Sequence, residues 1–293
     1  MANLKEIRSR ITSVNSTKQI TSAMKMVSAA KLRRAQDAIT QMRPYANKLQ
    51  EILSNLSSSL DASENVYAEE RETQNVLIVA ITSNRGLCGA FNNNVIKASR
   101  TLCADHKNSN VSVLSIGKKA NEAFKNTNFN IKGSKLPKNL EKLYDDLTFD
   151  NVAVVAENLM LQYKERHLDK IILVYNKFKN AATQELMKEQ FLPVLPPTTS
   201  TETSTNTVDY IFEPSKEQIV NELIPKSLKI QLYKAVLDSH AAEHGARMTA
   251  MHKATDNANE LSKALKLHYN KARQAAITAE ILEIVGGAEA LKG

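Results

Sequence analysis

Residues 35–56, AQDAITQMRPYANKLQEILSNL, place apolar side chains at Ala35, Ala38, Met42, Tyr45, Leu49, Ile52 and Leu56. The steps alternate between three and four, the spacing that keeps one helix face turned towards a partner helix. Towards the N-terminus, Leu4, Ile7, Ile11 and Val14 repeat that spacing, and the small Thr17, Thr21 and Ser28 occupy the stripe between. Residues 3–60 contain no Gly and a single Pro, and are rich in helix formers. Pro44 is expected to kink this helix without ending it, because the pattern runs through it.

The other end of the chain mirrors the first. Across residues 215–285 the stripe reads Met251, Ala254, Ala258, Leu261, Leu265, His268, Ala272, Ala275, Ala279 and Leu282, again in threes and fours. Its small residues let two backbones approach closely. Ser215 and Gln218 predict a capping box at its start, Pro225 a bend, and Gly286-Gly287 a C-terminal stop. At 1.5 Å per residue the two helices would run roughly 85 and 100 Å, whereas a globule of this chain length has a radius of gyration of about 19 Å. The prediction is an antiparallel two-helix coiled coil formed by residues 1–60 and 213–293, projecting as a rod.

The sequence between them, residues 70–212, has a different texture. Residues 76–82 (VLIVAIT) read as a strand buried on both faces, followed by the turn SNRGLCG. A helix at 91–106, a strand at 111–116 and a helix at 118–125 follow, with a helix at 149–163 and a strand at 171–175. That alternation predicts a small Rossmann-like α/β domain and makes the whole fold a mixed α/β with α+β character. Residues 196–207, Pro- and Thr-rich, read as a mobile loop, and residues 209–212 as an edge strand.

Lys and Arg number 39 against 31 Asp and Glu, a formal charge of +8. The excess sits at the N-terminus: before Ala35 stand Lys5, Arg8, Arg10, Lys18, Lys25, Lys31, Arg33 and Arg34, with Glu6 the only acid. A basic face of this density calls for an acidic partner. It lacks aromatic residues and every nucleic-acid-binding motif, so on composition alone a solvated face comes first, a protein partner next and nucleic acid third. Cys88 and Cys103 have no metal or disulfide spacing, no apolar run approaches membrane-spanning length, and the first residues lack a signal-peptide core.

Three features could carry chemistry. The turn at residues 83–89 lies where a nucleotide-binding loop would, yet GLCG matches neither glycine-rich phosphate motif, and a structural turn is the simpler reading. Cys88 lies near a helix N-terminus but has no catalytic His or Asp at a useful spacing. His240 and His244 stand four apart, as metal pairs can, but lack the Glu of the metalloprotease motif; exposed or stripe histidines are the better reading, and His268 reads as a packing residue on the stripe. No catalytic, cofactor-binding or metal site is predicted.

Four blocks of sequence give a closer indication. Residues 11–36, containing TKQITSAMKMVSAAKLRRAQ, together with 81–92 (ITSNRGLCGAFN), 243–258 (EHGARMTAMHKATDNA) and 277–288 (ITAEILEIVGGA), resemble in order the gamma subunit of rotary F-type ATP synthases. The resemblance spans nearly the whole chain. Gly245 departs from it, since the family usually carries a side chain there.

The resemblance implies a non-catalytic rotor shaft in the bore of a ring of three α and three β subunits. Its α/β end would rest, with the epsilon subunit, on a membrane ring of c subunits driven by protons or sodium ions. The contacts implied with the catalytic ring are Met24, Lys31, Arg33 and Arg34 on the first helix. On the last they are Arg247, Arg273, Gln274, Thr278, Glu280 and Glu283. Tyr210 and Glu213 match positions facing the c ring. The basic cluster would meet an acidic loop of the β subunit, and Ile281, Leu282, Ile284, Val285, Ala288, Ala290 and Leu291 would form an apolar bearing at the tip. No cofactor and no nucleic acid are implied, and the place would be peripheral, on the cytoplasmic face of a bacterial plasma (inner) membrane.

Overall fold

The computed structural model describes residues 4–57, 66–69, 71–131, 136–137, 140–194 and 216–291. In chain order the elements are α1 (Leu4–Ser57), β1 (Asn75–Ile81), α2 (Phe91–Asp105), β2 (Asn110–Ile116), α3 (Lys118–Phe124), a short 3-10 helix (Glu141–Tyr144), α4 (Phe149–Lys164), β3 (Lys170–Phe178), β4 (Gln184–Leu192) and α5 (Lys216–Ala290). The long terminal helices are present, at 54 and 75 residues. Both internal prolines are carried through: Pro44 lies inside α1 and Pro225 inside α5.

The C-terminal stop is a correction. Gly286 and Gly287 are helical, and α5 continues to Ala290. A Gly costs roughly 1 kcal/mol in a helix interior, which weakens this turn but does not force the left-handed cap that the Gly pair predicts. The predicted capping box at Ser215, the loop 196–207 and the edge strand 209–212 fall outside the described residues.

Two compact units make up the chain: Met1–Ala29 with Arg247–Gly293, and Ala30–Ala246. The second holds a four-stranded sheet in the order β2-β1-β3-β4. β1 runs parallel to β2, with Val76 opposite Val111, and parallel to β3, with Val76 opposite Lys170. β4 runs antiparallel to β3. This last strand has no counterpart in the sequence reading, because QELMKEQFL mixes charged, polar and apolar residues without a period-two pattern, as suits an edge.

Residues of β1 alternate between two cores. Leu77, Val79 and Ile81 face α4 (Val155, Leu159, Tyr163) and the first half of α5 (Leu228, Leu232, Val236). Val76, Ile78 and Ala80 face α2 (Val95, Ala98, Leu102) and α3 (Ala120, Phe124). Burial on both faces is the physical reason that β1 reads as an unbroken apolar run. Burying one Val, Leu or Ile side chain is worth about 1.5–3 kcal/mol, so this double-sided strand anchors the unit.

Candidate functional site

In the Met1–Ala29/Arg247–Gly293 unit, the start of α1 lies against the C-terminal half of α5. Thr21 and Thr255 join their hydroxyls at 2.8 Å, and the Ser262 hydroxyl donates to Asn15 Oδ1 at 3.0 Å. Moving six residues back along α1 therefore advances seven along α5, which makes the pairing antiparallel. The covered face of α1 runs through Leu4, Ile7, Ile11, Val14, Lys18, Thr21, Lys25 and Ser28, with Asn15, Ser22, Met24 and Ala29 half-buried beside it. From Met251 on, that of α5 runs through Met251, Thr255, Ala258, Ser262, Leu265, Tyr269, Ala272 and Ala276, with Ala254 and Asn259 half-buried beside it.

Three positions of the stripe read from sequence on α5, Leu261, His268 and Ala275, are one residue out. Leu261 is 51% exposed and Ser262 only 7%; His268 and Ala275 are exposed where Tyr269 and Ala276 are covered, and Thr255 lies on the face alongside Ala254. A three-four alternation can begin with either step, and the apolar Leu261 favoured the wrong one. The same slip affects α1. Thr17 is exposed beside Lys18, and within the other unit Tyr45 is 48% exposed beside the half-buried Ala46, while Ile39 is buried ahead of Ala38. The observed stripe is more polar than expected, and its Thr and Ser hydroxyls are satisfied both across the pair and along their own helices: Thr255 donates to the Met251 carbonyl at 2.8 Å, and Thr21 approaches the Lys18 carbonyl at 3.0 Å. Asn15, Thr255 and Ser262 are the residues that sequence reasoning missed; small hydroxyl residues in a four-three phase were the available signal.

From the two cross-pairs, Leu4 falls opposite about residue 273 of α5. Beyond that register α5 continues past α1, and every described residue from Ile277 to Leu291 is exposed, including Ile281, Leu282, Ile284 and Val285. This overhang is roughly 20 Å long.

Nine of the ten implied coupling residues are accessible to some degree. Met24 is half-buried, and Arg273, Gln274, Thr278, Glu280 and Glu283 are exposed on the far part of α5, where the Thr278 hydroxyl bonds back to the Gln274 carbonyl at 2.9 Å. Lys31, Arg33 and Arg34 are exposed in the other unit, flanking the buried Leu32. Arg247 is the exception: it is 6% exposed and has an interaction partner within the chain. Tyr210 and Glu213 lie outside the described residues.

The turn after β1 is filled by its own side chains. The Thr82 hydroxyl accepts from the Ala120 amide at 2.8 Å, and Asn84 Oδ1 accepts from the Lys118 amide at 3.0 Å, so two residues of the turn cap the start of α3. Asn92 Oδ1 accepts from the Ser83 amide at 3.0 Å, and the Asn84 amide donates to the Glu141 carbonyl at 2.8 Å. Gly117 has φ 99°, and a Cβ there would stand 2.1 Å from the Thr82 carbonyl oxygen. Thr82 and Asn84 thus use their side chains to hold the turn against α3 and the 3-10 helix. Cys88 and Cys103 are both buried, and burial pushes the Cys103 thiol up to about 11. Among the described residues no group of three or more His, Cys, Asp or Glu converges as a metal site, and no helix is long and apolar enough to cross a membrane.

A family model described as ATP synthase matches residues 3–291. The chain is 61% identical over 294 residues to the ATP synthase gamma chain of Flavobacterium johnsoniae and 60% identical over 295 residues to that of Christiangramia forsetii, each match covering all of both chains. The chain belongs to the ATP synthase gamma chain family. Among solved structures, a chain of the Euglena gracilis mitochondrial ATP synthase OSCP/F1/c-ring assembly in rotational state 3 shares its fold with a TM-score of 0.68 at 24% identity, covering 98% of this chain and 94% of that one. A chain of the rotor of the same enzyme in rotational state 1 gives 0.64 at 22% identity, covering 94% and 98%.

The one departure from the family pattern noted in the sequence has a local explanation. A Cβ on Gly245 would lie 3.3 Å from both Cα and the carbonyl oxygen of Ala181 and 3.4 Å from the Phe178 ring. The missing side chain lets the loop after β3 pack directly on the α5 backbone within the Ala30–Ala246 unit.

Proposed function

We propose that this chain is the central rotor shaft of an F-type ATP synthase: it turns with a membrane c ring driven by protons or sodium ions and imposes conformational change on the catalytic α and β subunits. The observation that carries this reading is the full-length match to gamma chains at 61% identity, joined to the antiparallel pairing of the two chain ends. In this role α1 and α5 wind as a coiled coil, residues 70–212 act as a Rossmann-like domain between helices 1–60 and 213–293, and catalysis belongs to the surrounding subunits. The partners are three α, three β, the epsilon subunit and the c ring. The chain is peripheral to the cytoplasmic face of a bacterial plasma membrane through that complex.

Torque transmission favours continuous helices, and α1 and α5 supply them with prolines absorbed inside the helices and glycines confined to Gly245 and the Gly286-Gly287 pair. Coupling requires that each orientation of the shaft favour a different state of each catalytic site, since only differential contact free energy shifts populations. Moving a site from mostly open to mostly closed takes about 5.5 kcal/mol. Lys31, Arg33 and Arg34 on α1, and Arg273, Gln274, Thr278, Glu280 and Glu283 on α5, are the exposed groups assigned to that contact, with Met24 between helix and ring. Tyr210 and Glu213 are assigned to the c-ring side. Exposed apolar residues at the end of α5 supply a bearing surface with few directional bonds.

Co-expression with α and β subunits tests the assignment. An assembly of three α and three β subunits containing this chain is expected, with ATP turnover only in the assembly. A chain that elutes alone, or that hydrolyses ATP by itself through every purification step, defeats the reading.

A further inference from the structure

We propose that His240 and His244 form a two-imidazole binding site for a divalent first-row transition metal of the Zn2+, Ni2+ or Co2+ class, in the Ala30–Ala246 unit. Both lie on α5, one helical turn apart, so their side chains project from the same face. The structure brings their Nε2 atoms to 3.1 Å, with the rings perpendicular and their centroids 4.5 Å apart. Two imidazole nitrogens bound at about 2.0–2.1 Å to a tetrahedral ion stand about 3.3–3.4 Å apart. The pair is therefore within a few tenths of an ångström of a metal's bite before any ion arrives. Little reorganisation is needed for the ion to take the place of the proton shared between the two nitrogens.

The surroundings favour the same reading. Tyr144 stacks on His240 at 5.8 Å and 19°, which restrains the ring. His244 is buried while His240 is half-buried, leaving one side of the pair open to solvent. Glu243, the residue before His244, is itself buried. No third His, Cys, Asp or Glu among the described residues converges on the pair, so water completes the coordination. Two imidazoles select borderline transition metals over Mg2+ and Ca2+, which prefer oxygen ligands.

Titration calorimetry of the full chain with ZnCl2, NiCl2 and MgCl2, paired with thermal unfolding, tests the site. One Zn2+ or Ni2+ per chain is expected, with a raised unfolding midpoint and no response to Mg2+. His240→Gln and His244→Gln should each weaken binding by about tenfold or more, whereas His252→Gln, at an exposed residue 3.2 Å from Asp256, should leave it unchanged. If the variants fail to fold, imidazole 15N resonances of the unaltered chain provide the answer: Zn2+ should move those of His240 and His244 ahead of the other four histidines. Absence of saturable binding, an equal response to Mg2+, undiminished binding in both variants, or shifts confined to other histidines would overturn the proposal.

Discussion

Placing a lysine at Leu261 and, separately, at Ser262 distinguishes the two possible phases of the α5 stripe. Ser262 is 7% exposed and donates to Asn15 at 3.0 Å. Ser262→Lys removes that hydrogen bond, worth about 0.5–1.5 kcal/mol. It also forces a four-carbon stem and a charge between two closely spaced backbones, for which overpacking alone costs about 1–3 kcal/mol. The sum is roughly 2–4 kcal/mol. Leu261 is 51% exposed, so its half-covered side chain contributes no more than about 1 kcal/mol, and the stem of a lysine recovers part of it. The paired residues are joined far apart in sequence, so the loss should appear as a lower unfolding midpoint of the purified chain, followed by circular dichroism. At about 2–4 °C per kcal/mol for a chain of this size, Ser262→Lys should cost several degrees and Leu261→Lys little. Equal losses, or a larger one at Leu261, would refute the phase assigned here and restore the one that hydrophobicity suggested.

Gly117→Ala should destabilise the sheet unit by about 3 kcal/mol or more, because a positive φ is strained for alanine and the new Cβ meets the Thr82 carbonyl at 2.1 Å; urea unfolding with a loss below 1 kcal/mol would contradict this. Burial holds the Asp238 carboxyl above its ordinary value, against the pull of Lys234, Arg43 and Lys177, and its Oδ1 has no hydrogen-bond partner. The folded state thus prefers the protonated form, so this group's contribution is fully favourable below its unfolded value of 3.8 and is lost as pH rises through its folded value. Asp238→Asn should therefore gain stability over the unaltered chain at pH 7, and urea titrations should show that advantage shrinking on acidification; a variant less stable at neutral pH would reverse the argument. Met24→Lys puts a charge where a half-buried methionine serves the proposed contact with the catalytic ring, and ATP-driven ion pumping by reconstituted membranes should fall relative to hydrolysis; an unchanged ratio would count against that contact.

Much of the architecture was legible in the residues. Long runs of helix formers with apolar residues every three or four positions dictate α1 and α5, and they carry through Pro44 and Pro225 because one proline costs less than a long helix gains from its packed face. The VLIVAI run specifies a strand buried on both sides. β4 was not legible, since an edge strand covered on one side has no apolar signature of its own; its place comes from the backbone hydrogen bonds that β3 offers. The implied contact residues came from the resemblance, and Arg247 was not separable from its exposed counterparts, because a charge in sequence looks the same whether it is solvated or enclosed.

Composition and spacing by themselves therefore determined which segments are the long helices and that β1 is a strand buried on both faces. Those follow from local preferences and from the period of the pattern, and a period survives without knowledge of the partner. Tertiary structure alone decided the phase of the stripe, the continuation of α5 through Gly286-Gly287, the enclosure of Arg247 and the convergence of His240 with His244. Each of these depends on what stands opposite the side chain, and that is a property of the packed molecule: Ser262 turns inward past its apolar neighbour Leu261 because Asn15 is there to receive its hydroxyl.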